Sequence, residues 1–140
     1  MSKTIGFTCG AFDLFHAGHI AMLREAKTVC DWLIVGIQTD PTIDRSNKNK
    51  PIQSIIERQI QVAACRYVDE TIVYETEEDL LILLKTLPIN IRIAGNEYQN
   101  KDYTGRSLNI KTYFNKRDHT FSSTNLRNRV HYAECTKIKI

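Results

Sequence analysis

The chain has 140 residues and a formal net charge of +3, with 42% hydrophobic and 25% charged residues, a balance that fits one folded domain and excludes disordered and fibrous classes. No run approaches the roughly 18–20 apolar residues a bilayer crossing requires, and MSKTIGFTCG lacks the apolar core of a secretory signal, so a cytoplasmic protein with no membrane association is expected. The modest basicity excludes a dedicated nucleic-acid binder, and the scattered Cys9, Cys30, Cys65 and Cys135, with no CxxC pair, point to reduced thiols.

Ile5, Phe7 and Cys9 alternate with small or polar residues and predict a first strand. Ile20, Leu23, Ala26 and Cys30 recur at helical spacing as one buried stripe, leaving Arg24, Glu25 and Lys27 to water. Trp32 to Ile37 (WLIVGI) is a short continuous apolar run, the mark of a strand covered on both faces. Ser54 to Glu57 (SIIE) has the form of a capping box and opens a second helix, whose apolar face is expected through Ile56, Ile60 and Ala64. Glu70 to Tyr74 predicts a third strand. Thr76 with Glu77, Glu78 and Asp79 opens an acid-fronted helix over Leu80, Leu83 and Leu87. Ile89, Ile91 and Ile93 form a fourth strand, Leu108 to Phe114 a fifth; Asn100 to Ser107 (NKDYTGRS) reads as a mobile loop and residues 133–140 as a tail.

Strands alternating with helices predict an α/β fold: a single doubly wound, Rossmann-like domain spanning 1–140, with a central parallel sheet flanked by helices. Ligands in such sheets sit at the carboxyl ends of the strands. That rule gathers Gly10 to His19, Gln38 to Pro51, Gly95 to Ser107 and Lys116 to Thr124 around one crevice.

Two stretches there carry chemistry. A helix beginning near Gly18 would turn its free amides and positive end to the crevice, with His16 and His19 on the same turn and Gly10 and Gly18 permitting close backbone approach, a corner that attracts phosphate. Two surface histidines, or a metal site with Cys9, are the alternatives for this pair. In KRDHTFSSTNLRNR (116–129), Ser122 or Ser123 caps a helix with Thr124 in its first turn; a cap alone leaves three consecutive hydroxyls and Arg117 unexplained, and together these can hold several phosphate oxygens.

GAFDLFHAGH (10–19), RYVDE (66–70) and RDHTFSST (117–124) resemble, in order across nearly the whole chain, the signatures of the small cytidylyltransferases of the glycerol-3-phosphate type, within the HxGH nucleotidyltransferase superfamily. The resemblance implies transfer of a cytidylyl group from CTP to a phosphorylated alcohol, with pyrophosphate released. It implies His16 and His19 on the triphosphate, the family lysine at Lys48 or Lys50, and Arg117 with Ser122, Ser123 and Thr124 on the nucleotide. Gly10, Ala11, Phe12, Gly18 and Asn96 would complete the nucleotide site. Asp13, Arg66, Tyr98, Tyr103 and Arg106 are expected toward the acceptor, Mg2+ on the triphosphate, and a homodimer near RYVDE. Ala11, Asp118, Thr120 and Asn96 depart from the family pattern. An adenylyltransferase using ATP, and a nucleotide-binding regulator without chemistry, are the alternative readings.

Overall fold

In the computed structural model, which describes residues 2–137, the elements in chain order are β1 (Ile5–Gly10), α1 (Ala17–Lys27), β2 (Trp32–Gln38), α2 (Ile55–Ala63), β3 (Glu70–Tyr74), α3 (Glu77–Thr86), β4 (Ile91–Ala94), β5 (Lys111–Phe114) and α4 (Ser123–Cys135). The strands pair in parallel in the order β3-β2-β1-β4-β5, so the chain reverses its direction of travel across the sheet between β1 and β4. A ligand crevice opens at such a switch point because the loops after the two strands lead away in opposite directions.

Alternate residues of the apolar runs feed two cores. Leu33, Val35 and Ile37 of β2 join Leu23 and Ala26 of α1 and Val62 of α2 on one face, while Ile34 and Phe7 meet Leu80 and Leu84 of α3 on the other. The doubly covered sheet expected from WLIVGI is thus present, with four helices around it. Ser54 caps α2 and Thr76 caps α3 through reciprocal side-chain and backbone bonds.

Five expectations are corrected. The inward face of α2 is made by Arg58 and Val62, whereas Ile56 and Ile60 are 66% and 65% exposed and Ala64 is also exposed. Ile20 likewise lies mostly outside the α1 core, at 41% exposure. The fifth strand begins only at Lys111, and β4 at Ile91 rather than Ile89. Helix α4 runs on through Cys135, so residues 133–135 are helical; residues 138–140 of the expected tail lie outside the described residues.

Arg58 explains the inverted face of α2. Its side chain is 2% exposed and donates to the carbonyls of Ala11 (2.9 Å), Gln38 (2.6 Å), Thr39 (2.6 Å) and Gln53 (3.1 Å). A buried guanidinium is tolerated when its donors are met, and here they tie the ends of β1 and β2 to the segment before α2. Arg58→Leu should lower stability by about 3 kcal/mol, since it strands carbonyls that cost roughly 1–3 kcal/mol each when unpaired and buried. Arg58→Lys should recover little, because an ammonium cannot span the four acceptors. Urea denaturation measures both, and wild-type midpoints would refute the assignment.

Candidate functional site

Beyond Gly10 the chain makes a contorted passage into α1. Phe12 and Leu14 both have left-handed backbones, at φ +52° and +53°, conformations that cost non-glycine residues about 1–3 kcal/mol each and persist only where surroundings over-determine them. The surroundings are visible. Asp13 between them, 8% exposed, accepts from the amides of Ile52 and Gln53 (both 2.9 Å), and the Leu14 amide donates to Gln53 Oε1 at 2.7 Å. Arg127 of α4 reaches across to Asp13 at 2.6 Å. Asp13, expected against the acceptor, thus has both oxygens committed within the protein and acts as the pin joining the β1–α1 loop, the α2 approach and α4.

That pin brings the two helix starts together. His16 is the N-cap of α1, its Nδ1 accepting from the Gly18 amide at 3.0 Å, and its Nε2 lies 2.9 Å from Ser123 Oγ on the first turn of α4. His19 Nδ1 accepts from the His16 amide at 3.1 Å, and its ring stacks on Phe15 and leans on Phe12. Because an amide donor occupies each Nδ1, each neutral ring carries its proton on Nε2. The His16 Nε2–H then donates to Ser123 Oγ, which leaves the hydroxyl proton of Ser123 and the Nε2–H of His19 available for oxyanions. A methyl group on Gly18 would lie 2.8 Å from the His16 ring and 3.1 Å from Phe121 Cβ, so only glycine permits this closure.

Electrostatics keep these rings neutral. Burial, then His119 and Arg117, lower the pKa of His16; burial, then His16, push His19 down to about 3 against the opposing pull of Asp13.

Two adjoining cavities occupy the crevice. The one beside the imidazoles, of about 390 Å³, is lined by His16, Gly18, His19, Asn96, Arg117 and the Ser122 to Thr124 run. Ser122 is the N-cap of α4, accepting from the Asn125 amide, and Arg117 holds a left-handed backbone at φ +46°. The second cavity, of about 600 Å³, takes in Gly10, Ala11, Lys48, Tyr98 and Tyr103. Met22, Gly95 and Glu97 border both.

Of the remaining sequence candidates, Phe12 is buried beneath His19, and Lys50 and Arg66 line neither cavity. Lys48 is thus the lysine the fold brings to the crevice. Arg106 lies against the ring of Tyr103 and donates to the Lys101 carbonyl. Asn100 to Ser107, expected to be mobile, is anchored by Arg92, which donates to the Thr104 carbonyl and packs 5.0 Å from the Tyr103 ring centre. Sequence reading missed Arg58, Arg92, His119 and Asn115. A charged residue at the i+3 position between Ile55 and Val62 was the available signal for Arg58; the others had none beyond their place after a strand. Among the described residues no group of three or more His, Cys, Asp or Glu side chains is placed to hold a metal ion, and no helix is long and apolar enough to cross a membrane.

Residues 7–129 match the family described as cytidylyltransferase-like. Ethanolamine-phosphate cytidylyltransferase from Arabidopsis thaliana is 40% identical over 95 residues, covering 67% of this chain and 23% of that protein. The bifunctional protein HldE of Helicobacter pylori is 34% identical over 123 residues, covering 87% of this chain and 26% of its own. The chain therefore spans about a quarter of the length of these relatives. A lipopolysaccharide core biosynthesis protein from Thermoplasma volcanium shares the fold, with a TM-score of 0.61 at 22% identity over 95% of this chain and 90% of that one.

The depressed His19 pKa makes stability depend on pH. As pH falls below 6.5 the unfolded chain protonates this imidazole while the folded chain resists until about 3, so acidification through that window favours unfolding. His19→Asn should flatten the loss of stability between pH 6.5 and 4 relative to wild type. Thermal melts across that range test this, and parallel curves for the two proteins would refute it.

Proposed function

The chain belongs to the cytidylyltransferase-like family, and from that premise we propose that it is a nucleotidyltransferase moving a cytidylyl group from CTP to a phosphorylated alcohol such as glycerol 3-phosphate or a related polyol or sugar phosphate. The observation that carries this reading is the 2.9 Å approach of His16 Nε2 to Ser123 Oγ, which turns two helix starts into one polyanion seat. Both helix amino ends, His19, the Ser123 hydroxyl held by His16, and Arg117 line the smaller cavity, a donor set suited to a triphosphate.

In this mechanism the triphosphate lies across the α1 and α4 starts, and the acceptor occupies the larger cavity with its phosphate directed by Lys48. An acceptor phosphate oxygen attacks the α-phosphorus in line, the bond to the β-phosphate bridging oxygen breaks, and pyrophosphate departs with that electron pair. Holding the two reactants in line can remove about 7–11 kcal/mol of barrier. Neutral imidazoles suit what remains, because they donate to charge developing on phosphoryl oxygens without removing the acceptor's proton, which a phosphate monoester has largely lost near neutral pH. Asp13 and Arg127 set the distance between the halves of the seat.

Mg2+ would ride on the triphosphate. Glu97 and Asp118 line the nucleotide cavity and fit a hydrated ion that takes few protein ligands. Bound there, it would neutralise charge on the phosphates.

The proposal includes a homodimer and a cytoplasmic location. Ile52 ahead of α2, with Ile56 and Ile60 on the face of α2 that Arg58 turns outward, forms an apolar stripe in which each residue is 65–66% exposed, the kind of patch that marks an interface. Ile56→Glu with Ile60→Glu should convert a dimer to monomer in sedimentation velocity. A wild-type monomer, or a variant that still dimerises, would refute the interface.

Pyrophosphate release from each of the four triphosphates with polyol and sugar phosphates tests the activity. CTP-dependent release is expected, and release with ATP alone would replace the reading with adenylyl transfer. His16→Ala and His19→Ala should each lower kcat roughly 10²–10³-fold, the usual cost of one preorganised donor, with the fold retained by circular dichroism. Undiminished turnover in the double variant would refute the mechanism.

A further inference from the structure

Asn115 follows β5 directly. Its amide continues the sheet ladder by donating to the Ala94 carbonyl at 2.8 Å, which fixes the residue at the carboxyl end of β4 and β5. Asn115 is 4% exposed and is among the residues that line the smaller cavity. Nδ2 points at the Met22 carbonyl of α1, 3.5 Å away, whereas Oδ1 is buried without a donor. A buried carbonyl oxygen left unpaired is costly, and native proteins seldom keep one without a use.

The surrounding polar groups do not supply that donor. Glu25, the acidic neighbour on α1, has its carboxylate engaged by the Lys116 amide (3.2 and 3.0 Å) and the Tyr113 hydroxyl (2.7 Å), and Asn96 donates to the Lys116 carbonyl at 3.3 Å. Those bonds hold the frame around Asn115 and leave its Oδ1 without a protein donor. The phosphate-binding groups of the same cavity, His16, Arg117 and Ser123, stand on the α1 and α4 starts, so a nucleotide anchored there by its phosphates extends its base toward the β4 and β5 ends.

We propose that Asn115 reads the exocyclic amine of the nucleotide base, its Oδ1 accepting from the 4-amino group of cytosine. This deepens the nucleotidyl-transfer reading and rests on it. Uracil differs by presenting a carbonyl oxygen at that place, which would oppose Oδ1 lone pair to lone pair and leave both acceptors unpaired. A site built to pair with a donor rejects the analogue lacking it far more strongly than an apolar pocket can. Asparagine serves the same purpose toward amino groups wherever proteins read base edges, because its amide offers one acceptor and one donor side by side.

The test compares pairs of ligands that differ at the base by amine against carbonyl: CTP with UTP, and ATP with ITP, their affinities measured by calorimetry on the full chain for wild type, Asn115→Leu and Asn115→Asp. Wild type should bind CTP at least tenfold more tightly than UTP. Asn115→Leu should lose most of that ratio by weakening CTP roughly tenfold while leaving UTP unchanged or improved. Asn115→Asp keeps an acceptor at the same place and should keep the preference. The ligand-free melting temperature of Asn115→Leu should equal or exceed that of wild type, since the substitution removes an unpaired buried group, and this guards against loss of binding through misfolding. An equal CTP to UTP ratio in wild type and Asn115→Leu would overturn the inference. If ATP binds and CTP does not, the cytidylyl reading falls; the inference then stands only if Asn115→Leu loses the preference for ATP over ITP, and is overturned if that ratio is unchanged.

Discussion

Arg58 holds a guanidinium in the interior, where a charge is stable only if its donors are met, and the carbonyls of Ala11, Gln38, Thr39 and Gln53 meet them. Those four atoms belong to the ends of β1 and β2 and to the entrance of α2, the segments that frame the crevice. With Asp13 capping the amides of Ile52 and Gln53 on the same entrance, the two residues hold the left-handed turn at Phe12 and Leu14 in place. The strained loop, the cap at His16 and the direction of the imidazoles all depend on that framework.

The same framework couples distant parts of the chain. Asp13 bonds Arg127 more than a hundred residues away, so the hydroxyl-rich start of α4 is drawn to the imidazole pair rather than left to drift on a solvent-facing helix. Helix α4 has no buried residue of its own, and its position rests on a few polar contacts at its amino end. The site is therefore assembled by directional bonds across the crevice, while the apolar cores on either side of the sheet supply the rigid base beneath.

The division of labour within the crevice follows from the sheet order. With β1 and β4 adjacent, the loops of β1, β4 and β5 enclose the smaller cavity of imidazoles, arginine and hydroxyls, and the loops of β1, β2 and β4 enclose the larger one. Neutral imidazoles suit a site that must stabilise charge as it appears. Burial and neighbouring positive charge both lower the affinity of His16 for a proton, so the ring is held neutral in a geometry set in advance, as the proposed transfer requires.

Much of this was legible in the sequence. Alternating apolar runs, the Ser54 capping box, the acid-fronted start at Thr76 and the spacing of His16, Gly18 and His19 specify strands and helix starts, because each depends on neighbours within a turn or a strand. The hydroxyl run at Ser122 to Thr124 was legible for the same reason. The inward face of α2 was not: Ile56 and Ile60 offered the better apolar stripe, and only the chance for one arginine to bind four carbonyls from three separate segments turned the helix the other way. The committed oxygens of Asp13 and the unpaired acceptor on Asn115 likewise depend on groups remote in sequence. Local patterning determines which elements form, since it acts through periodicity and caps; which side chains meet is decided by long-range bonds that exist only once the sheet has brought the loops together.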